Sequence, residues 1–332
     1  QEGTRRATPA FRETPTWTEQ ISPTLGTINS AILRTIRPLN DLLNVLDSQP
    51  KKVSDPHIQS IFELSRAMRR LTQKSAFLSS YQATEDKTVS WLERDRGHRS
   101  APAARLLEAP IEVGPMLREQ LFETMQAAIL TSATLTVAKR FDHLSDRIGL
   151  STCDRLVTGS FPSPFDYKTQ AILGIPRDLP TPKEAGFEDA VSRVVIDAIK
   201  RSDGGVFVLC TSYALVDRLY ADAVHELQDA MPLLKQGQMG RGHLLSRFKQ
   251  DRRSVLFGTD SFWEGIDVKG DNLRLVIIPR LPFRVPTEPV QQARHERLEA
   301  MGLDPFRAYS LPQAVLRFRQ GFGRLIRTQK DR

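Results

Sequence analysis

Cysteine is nearly missing from this chain: its 332 residues hold two, Cys153 and Cys210. Two thiols cannot build a disulfide framework or a four-cysteine metal site. Cys210 closes an apolar run that reads as a strand, which makes it a core residue. The six histidines show no ligand spacing, so no metal site is expected from the chain's own side chains. No apolar run approaches the ~20 residues that cross a bilayer, and the opening QEGTRRATPAFRE lacks the apolar segment of a signal peptide. No membrane partner is therefore expected. Also missing are G-x-x-x-x-G-K-[ST] and D-E-x-H or D-E-x-D. Those patterns cradle phosphates and hold Mg²⁺ in P-loop ATPases. No internal repeat or low-complexity tract occurs.

What is present is ordinary globular composition, 40% hydrophobic and 26% charged, with a net charge of +8. Length allows two or three domains. The positive balance suits a polyanionic partner, although many basic proteins bind no nucleic acid.

The most distinctive stretch is Gln320-Gly-Phe-Gly-Arg-Leu-Ile-Arg327. Read as a helix, it puts Arg324 and Arg327 on one face, with Gln320 a turn earlier. Gly323 removes a side chain and lets a ligand or partner backbone approach. Paired guanidinium forks suit a polyphosphate. A solvated basic helix end is the other reading.

Taken in order, residues 1–20 read as a polar linker or ordered arm. From 22 to 46 apolar residues recur at intervals of three and four, a helical period, with Pro38 expected to kink it. A second helix, 55–82, completes an antiparallel hairpin. Arg66, Arg69, Arg70 and Lys74 form a basic stripe along its polar side. A nucleic-acid backbone could lie there, while a solvated face is the commoner fate of such runs.

Residues 88–94 and 106–113 read as strands around the charged turn at 95–99, and 114–122 as a helix. Residues 128–130 read as a buried strand ending in Ser132-Ala-Thr134, and 137–148 as a helix. After a Pro/Ser-rich stretch at 160–165, strands at 169–175, 205–210, 233–235, 255–257 and 273–278 alternate with helices at 183–201, 213–228 and 244–249. That alternation predicts an α/β fold with a parallel sheet covered on both faces. Thr211-Ser212-Tyr213 falls where a strand turns into a helix. Its N–H groups could meet a phosphate, or Ser212 could simply cap the helix.

Four segments in order resemble the motifs of one family. "GTDSFWEGIDVKGDNLRLVIIPRLPF" and "RFRQGFGRLIRTQKDR" resemble motifs V and VI of the DinG/XPD family of superfamily 2 helicases. "AILTSATLT" resembles motif III and "GVFVLCTSYALV" motif IV. The resemblance implies a RecA-like second lobe at 151–332, the end of a first lobe at 105–150, and a helical arch-like region with return strands at 1–104. It implies an ATP-dependent DNA helicase that moves 5′ to 3′ on single-stranded DNA or a forked duplex, using ATP and Mg²⁺.

By the same resemblance Arg324, Arg327 and Gln320 act at the γ-phosphate. Glu264, Gly265, Asp267 and Gly323 serve the nucleotide. Ser132, Thr134, Thr211, Ser212, Tyr213, Arg66, Arg69, Arg70 and Lys74 face nucleic acid. The absent phosphate-binding motifs imply that these 332 residues are inactive alone and need the N-terminal part of the first motor lobe. The family's four-cysteine iron–sulfur cluster, where present, precedes the arch and cannot be judged from this sequence. The resemblance also implies a bacterial cytoplasmic setting, nucleoid-associated when bound to DNA, and is compatible with a repair or CRISPR complex. A catalytically silent nucleic-acid-binding module is the competing expectation.

Overall fold

The computed structural model describes residues 3–48, 57–83, 86–95, 103–259, 262, 268, 270–329 and 331. They form two compact units, Gln1–Glu112 with Pro286–Arg297, and Val113–Val285 with Leu298–Arg332. Among the described residues no helix is long and apolar enough to cross a membrane.

The first unit is built on an antiparallel sheet in the order β1 (Thr4–Arg6), β2 (Thr88–Asp95), β3 (Ala103–Pro110). Strand β3 begins and ends three residues earlier than its apolar pattern suggests. Register sets it: Thr88 pairs with Pro110 and Asp95 with Ala103, and one further bond, from Ile111 N–H to the Lys87 carbonyl at 2.9 Å, closes that end. Two long helices, α1 (Ser22–Asp47) and α2 (Ile58–Gln82), form the expected hairpin. Asn29 bonds both Ser75 and Ser79, while the Gln82 side chain donates to the Ser22 carbonyl, which makes the pair antiparallel.

Residues 3–20 are an ordered arm that closes the hairpin base. Trp17, Leu25, Leu78 and Tyr81 bury one another there. The Arg12 guanidinium lies over the Trp17 ring at 4.4 Å and donates to the carbonyls of Ala7, Tyr81 and Gln82. The last two are terminal carbonyls of α2, which no intrahelical N–H can satisfy. Helix α3 (Pro289–Ala300) had no counterpart in the sequence reading. Its residues up to Arg297 belong to this unit: Ala293 packs with Val89 and Ile111, and Glu296 receives both Nη atoms of Arg6.

The second unit is α/β, with a parallel sheet in the order β5-β6-β4-β7, where β4 is Val206–Leu209, β5 Leu233–Lys235, β6 Val255–Gly258 and β7 Leu275–Ile277. Strands β4 and β6 are buried end to end, as a sheet covered on both faces requires. Val206, Val208 and Phe257 face α4 (Phe187–Ser202) and α5 (Tyr213–Leu227). Phe207, Leu209 and Leu256 face the other way, toward Leu244 and Phe248 of α6 (Arg241–Gln250) and toward Phe262, Val268 and Leu273. Gly204, at φ +77°, makes the turn from α4 into β4, and a Cβ there would lie 2.0 Å from the Arg253 carbonyl oxygen.

Two expected strands are not formed. Residues 128–130 are outside any strand, with Ile129 94% exposed, and 169–175 begin as the short helix Tyr167–Gln170 and continue with Ile172 97% exposed. A strand exists only where a neighbour takes its N–H and C=O groups, and no described residue pairs with either run. Asp166 moreover caps Lys168 N, which starts a helical turn instead. The helix expected at 137–148 is confined to Asp142–Ile148, because Ala138 and Lys139 take positive φ in the preceding turn.

Candidate phosphate and nucleic-acid surfaces

Helix α7 (Leu311–Phe322) carries Gln320 but stops before the two arginines. This corrects the single-helix reading of 320–327. Beyond the helix the N–H of Arg324 reaches Gly321 and that of Leu325 reaches Phe322, a tighter i→i−3 winding. Gly321 and Gly323 weaken helical continuation. A Cβ at Gly323 would meet its own helix's Arg319 carbonyl at 3.0 Å, so the missing side chain first serves the chain itself. Arg324 is buried, at 9% exposure, and Arg327 half-buried. Neither is a solvated surface cation.

What holds this segment was not visible in the sequence. The buried Asp331 carboxylate accepts from the N–H groups of Arg327 and Thr328, each at 2.8 Å, and from Thr328 Oγ1 at 2.6 Å. Gly270, within the motif V-like stretch, adds a backbone N–H. Burial pushes the Asp331 pKa up, but these donors together outweigh it and hold the carboxyl below its usual range. Gln170, 5% exposed, donates from Nε2 to the carbonyls of Thr328, Gln329 and Asp331 at 3.0–3.3 Å, and its Oε1 accepts from Asp166 N. A glutamine inside the apolar run at 169–175 was the one signal that this run is not a plain strand. Beside it, the Tyr167 and Phe322 rings lie 5.8 Å apart.

A depressed folded pKa means that the carboxylate's stabilisation is complete above the unfolded value of about 3.9 and is lost as pH falls through the lower, folded value. Asp331→Asn is therefore expected to remove this acid-dependent loosening of 326–331. It should also lower protection of the Arg327 and Thr328 amides about 5- to 100-fold, the loss of charge-assisted bonds worth about 1–3 kcal/mol. Hydrogen exchange across pH 2–6 reads both. Unchanged protection in the variant would mean that Asp331 does not anchor the segment.

The Ser132–Thr134 turn is tied to α7. Arg319 donates to the carbonyls of Thr136 at 2.7 Å and Ala133 at 3.4 Å, and the Ser132 and Thr134 hydroxyls lie 3.3 Å apart. Ser132 is exposed and Thr134 half-buried. At the carboxyl edge of the sheet, Ser212 caps α5 through its Oγ, which accepts from Leu215 N, with Thr211 half-buried and Tyr213 exposed beside it. Within the other unit, Arg66, Arg69, Arg70 and Lys74 are exposed on α2, while Met68, Ser75 and Leu78 turn inward. Glu264, Gly265 and Asp267 lie outside the described residues.

Guanidinium groups such as those of Arg324 and Arg327 suit the anionic edge of a polyphosphate such as ATP. For Mg²⁺ the described residues offer no group of three or more His, Cys, Asp or Glu, so no metal ligand is assigned here.

Residues 195–332 match the family described as a helicase C-terminal domain. The chain is similar to the ATP-dependent DNA helicase YoaA of Haemophilus influenzae, 40% identical over 223 residues, covering 67% of this chain and 34% of the relative. It is 33% identical over 307 residues to the 3′-5′ exonuclease DinG of Bacillus subtilis, covering 83% of this chain and 33% of that protein. With the ATP-dependent DNA helicase DinG of Photobacterium profundum it shares 30% over 338 residues, 96% of this chain and 47% of the relative. The chain thus spans between a third and a half of the length of these curated relatives.

Proposed function

For a chain that belongs to the DinG-type helicases and corresponds to their C-terminal part, we propose the role of arginine-bearing lobe in an ATP-driven DNA helicase. Residues 151–332 act as the second motor lobe, 105–150 as the end of the first, and 1–104 as an arch-like region beside the DNA. ATP, with Mg²⁺, binds against phosphate-binding elements contributed by protein outside these 332 residues. Arg324 and Arg327 neutralise charge developing on the transferring γ-phosphoryl group, and Gln320 meets the nucleotide or the attacking water. Ser132 and Thr134, tied to α7 through Arg319, pass the nucleotide state toward the DNA surface. Glu264, Gly265 and Asp267 couple ribose, phosphate and DNA contacts. The basic stripe Arg66, Arg69, Arg70 and Lys74 tracks the backbone of a single strand.

One observation carries this reading: Arg324 is buried just ahead of Arg327 and Thr328, whose N–H groups donate to the Asp331 carboxylate, while Gln170 binds the carbonyls of Thr328 and Asp331. An arginine held rigid before the reaction stabilises developing charge without paying for reorganisation.

The full-length gene product, mixed with ATP and Mg²⁺, is expected to release phosphate faster when single-stranded DNA is added. It is also expected to open a fork carrying a 5′ tail in preference to one carrying a 3′ tail. DNA binding without stimulated hydrolysis would instead identify a silent nucleic-acid-binding module.

A further inference from the structure

At the carboxyl edge of the sheet one side chain joins elements that the motifs treat separately. Gln236 directly follows β5, and its backbone N–H bonds the Phe257 carbonyl of β6 at 2.9 Å. Its side-chain Oε1 accepts from Thr259 N at 2.6 Å and Thr259 Oγ1 at 3.0 Å. Its Nε2 donates to the Tyr213 phenol oxygen at 2.7 Å. The amide orientation follows from chemistry: a backbone N–H can only donate, so Thr259 must face the oxygen, which leaves the NH₂ for Tyr213. Thr259 is 8% exposed, while Tyr213, at the first turn of α5, is 60% exposed. The structure therefore anchors the polar tip of an aromatic side chain and leaves its ring in solvent. A large ring with one end fixed pays little ordering cost when a flat partner arrives. The N-terminus of α5 beside it, with Thr211 and Ser212, favours the negative charge of a phosphate.

We infer that Tyr213 is a stacking face for an unpaired nucleobase of single-stranded DNA, and that Gln236 is the positioning residue that presents it, linking that face to Thr259, just ahead of the Glu264–Asp267 stretch in sequence. The inference rests on the helicase reading above and adds to it a base contact and a residue that no motif singled out. Stacking is tolerant of base identity because every base has a π-face, as a motor that moves along any sequence needs.

Binding of the full-length protein to fluorescent oligo(dT) tests this at several salt concentrations. Tyr213→Ala is expected to weaken binding about 5- to 100-fold, the loss of one stacked base. It should leave the slope of log affinity against log salt unchanged, because no phosphate contact is removed. Tyr213→Phe keeps the ring and removes only the oxygen. That variant and Gln236→Ala are each expected to weaken binding about 2- to 10-fold. The double variant should be no weaker than either single, since both break one link. A purely structural Gln236 would instead give additive losses, and these would overturn the positioning role. Binding by Tyr213→Ala equal to that of the unmodified protein, beside normal DNA-stimulated hydrolysis, would remove the stacking face and leave the motor standing. Failure of the unmodified protein to show DNA-stimulated hydrolysis would take away the motor reading and this inference with it.

Discussion

Arg324→Ala in the full-length protein is expected to lower DNA-stimulated kcat for ATP hydrolysis by about 10³- to 10⁵-fold, the range for an arginine at a transferring phosphoryl group. Single-stranded DNA affinity should stay within about threefold, because a residue that serves the nucleotide removes no contact to the DNA phosphates when it is lost. The effect belongs on kcat rather than KM, since charge on the phosphoryl oxygens rises mainly in the transition state. Arg324→Lys separates charge from shape: an ammonium restores the charge but not the planar fork, so activity should remain far below that of the parent. Arg324 is only 9% exposed, so the melting temperature of each variant needs to be recorded alongside. Steady-state phosphate release with saturating oligonucleotide decides the matter. Hydrolysis at the unmodified rate in a folded Arg324→Ala protein would remove this residue from the active site.

Phe257→Ala should have the largest effect on stability. Phe257 is fully buried on β6, which pairs with both β4 and β5, and its ring meets that of Tyr220 edge-on at 5.8 Å. Parallel strands held on both sides cannot close over the void, so the cost should lie in the 3–5 kcal/mol range typical of Phe→Ala in cores. Amides of β4 and β6 are then expected to exchange about 10²- to 10⁴-fold faster, provided they exchange through opening of this unit. A change below tenfold would mean that the sheet is not packed as described. The same strand leads to Thr259 and so to Gln236, which makes the sheet core the rigid base of the proposed DNA-facing edge.

The parts of this fold that were legible in the sequence are those with strong periodicity. The hairpin helices Ser22–Asp47 and Ile58–Gln82 follow apolar residues spaced by three and four. Strands Val206–Leu209 and Val255–Gly258 follow unbroken apolar runs, because both of their faces are covered. The runs at 128–130 and 169–175 look equally strand-like, yet lie in no strand among the described residues, with Ile129 and Ile172 almost fully exposed. Their pattern records a preference for a sheet, but pairing depends on a neighbour that local sequence does not contain. The candidate site divides in the same way. Arg324, Arg327 and Gln320 could be named from a short motif, whereas Gln170 and Gln236 could not. Each is a neutral amide whose role comes from partners more than twenty residues away: Thr328, Gln329 and Asp331 for Gln170, Tyr213 and Thr259 for Gln236.

The sequence by itself determined which elements this chain can form and which residues carry its charge and its motifs, because hydrophobic period and side-chain chemistry are local properties. Only the tertiary structure decided that the paired arginines sit past the end of their helix rather than along it. It alone also showed that Asp331 and Gln170 hold the chain from Arg327 onward, and that Gln236 ties Tyr213 to the end of β6. Hydrogen bonds reward proximity in space, and it is burial of the apolar faces that brings distant parts of the chain within reach of one another.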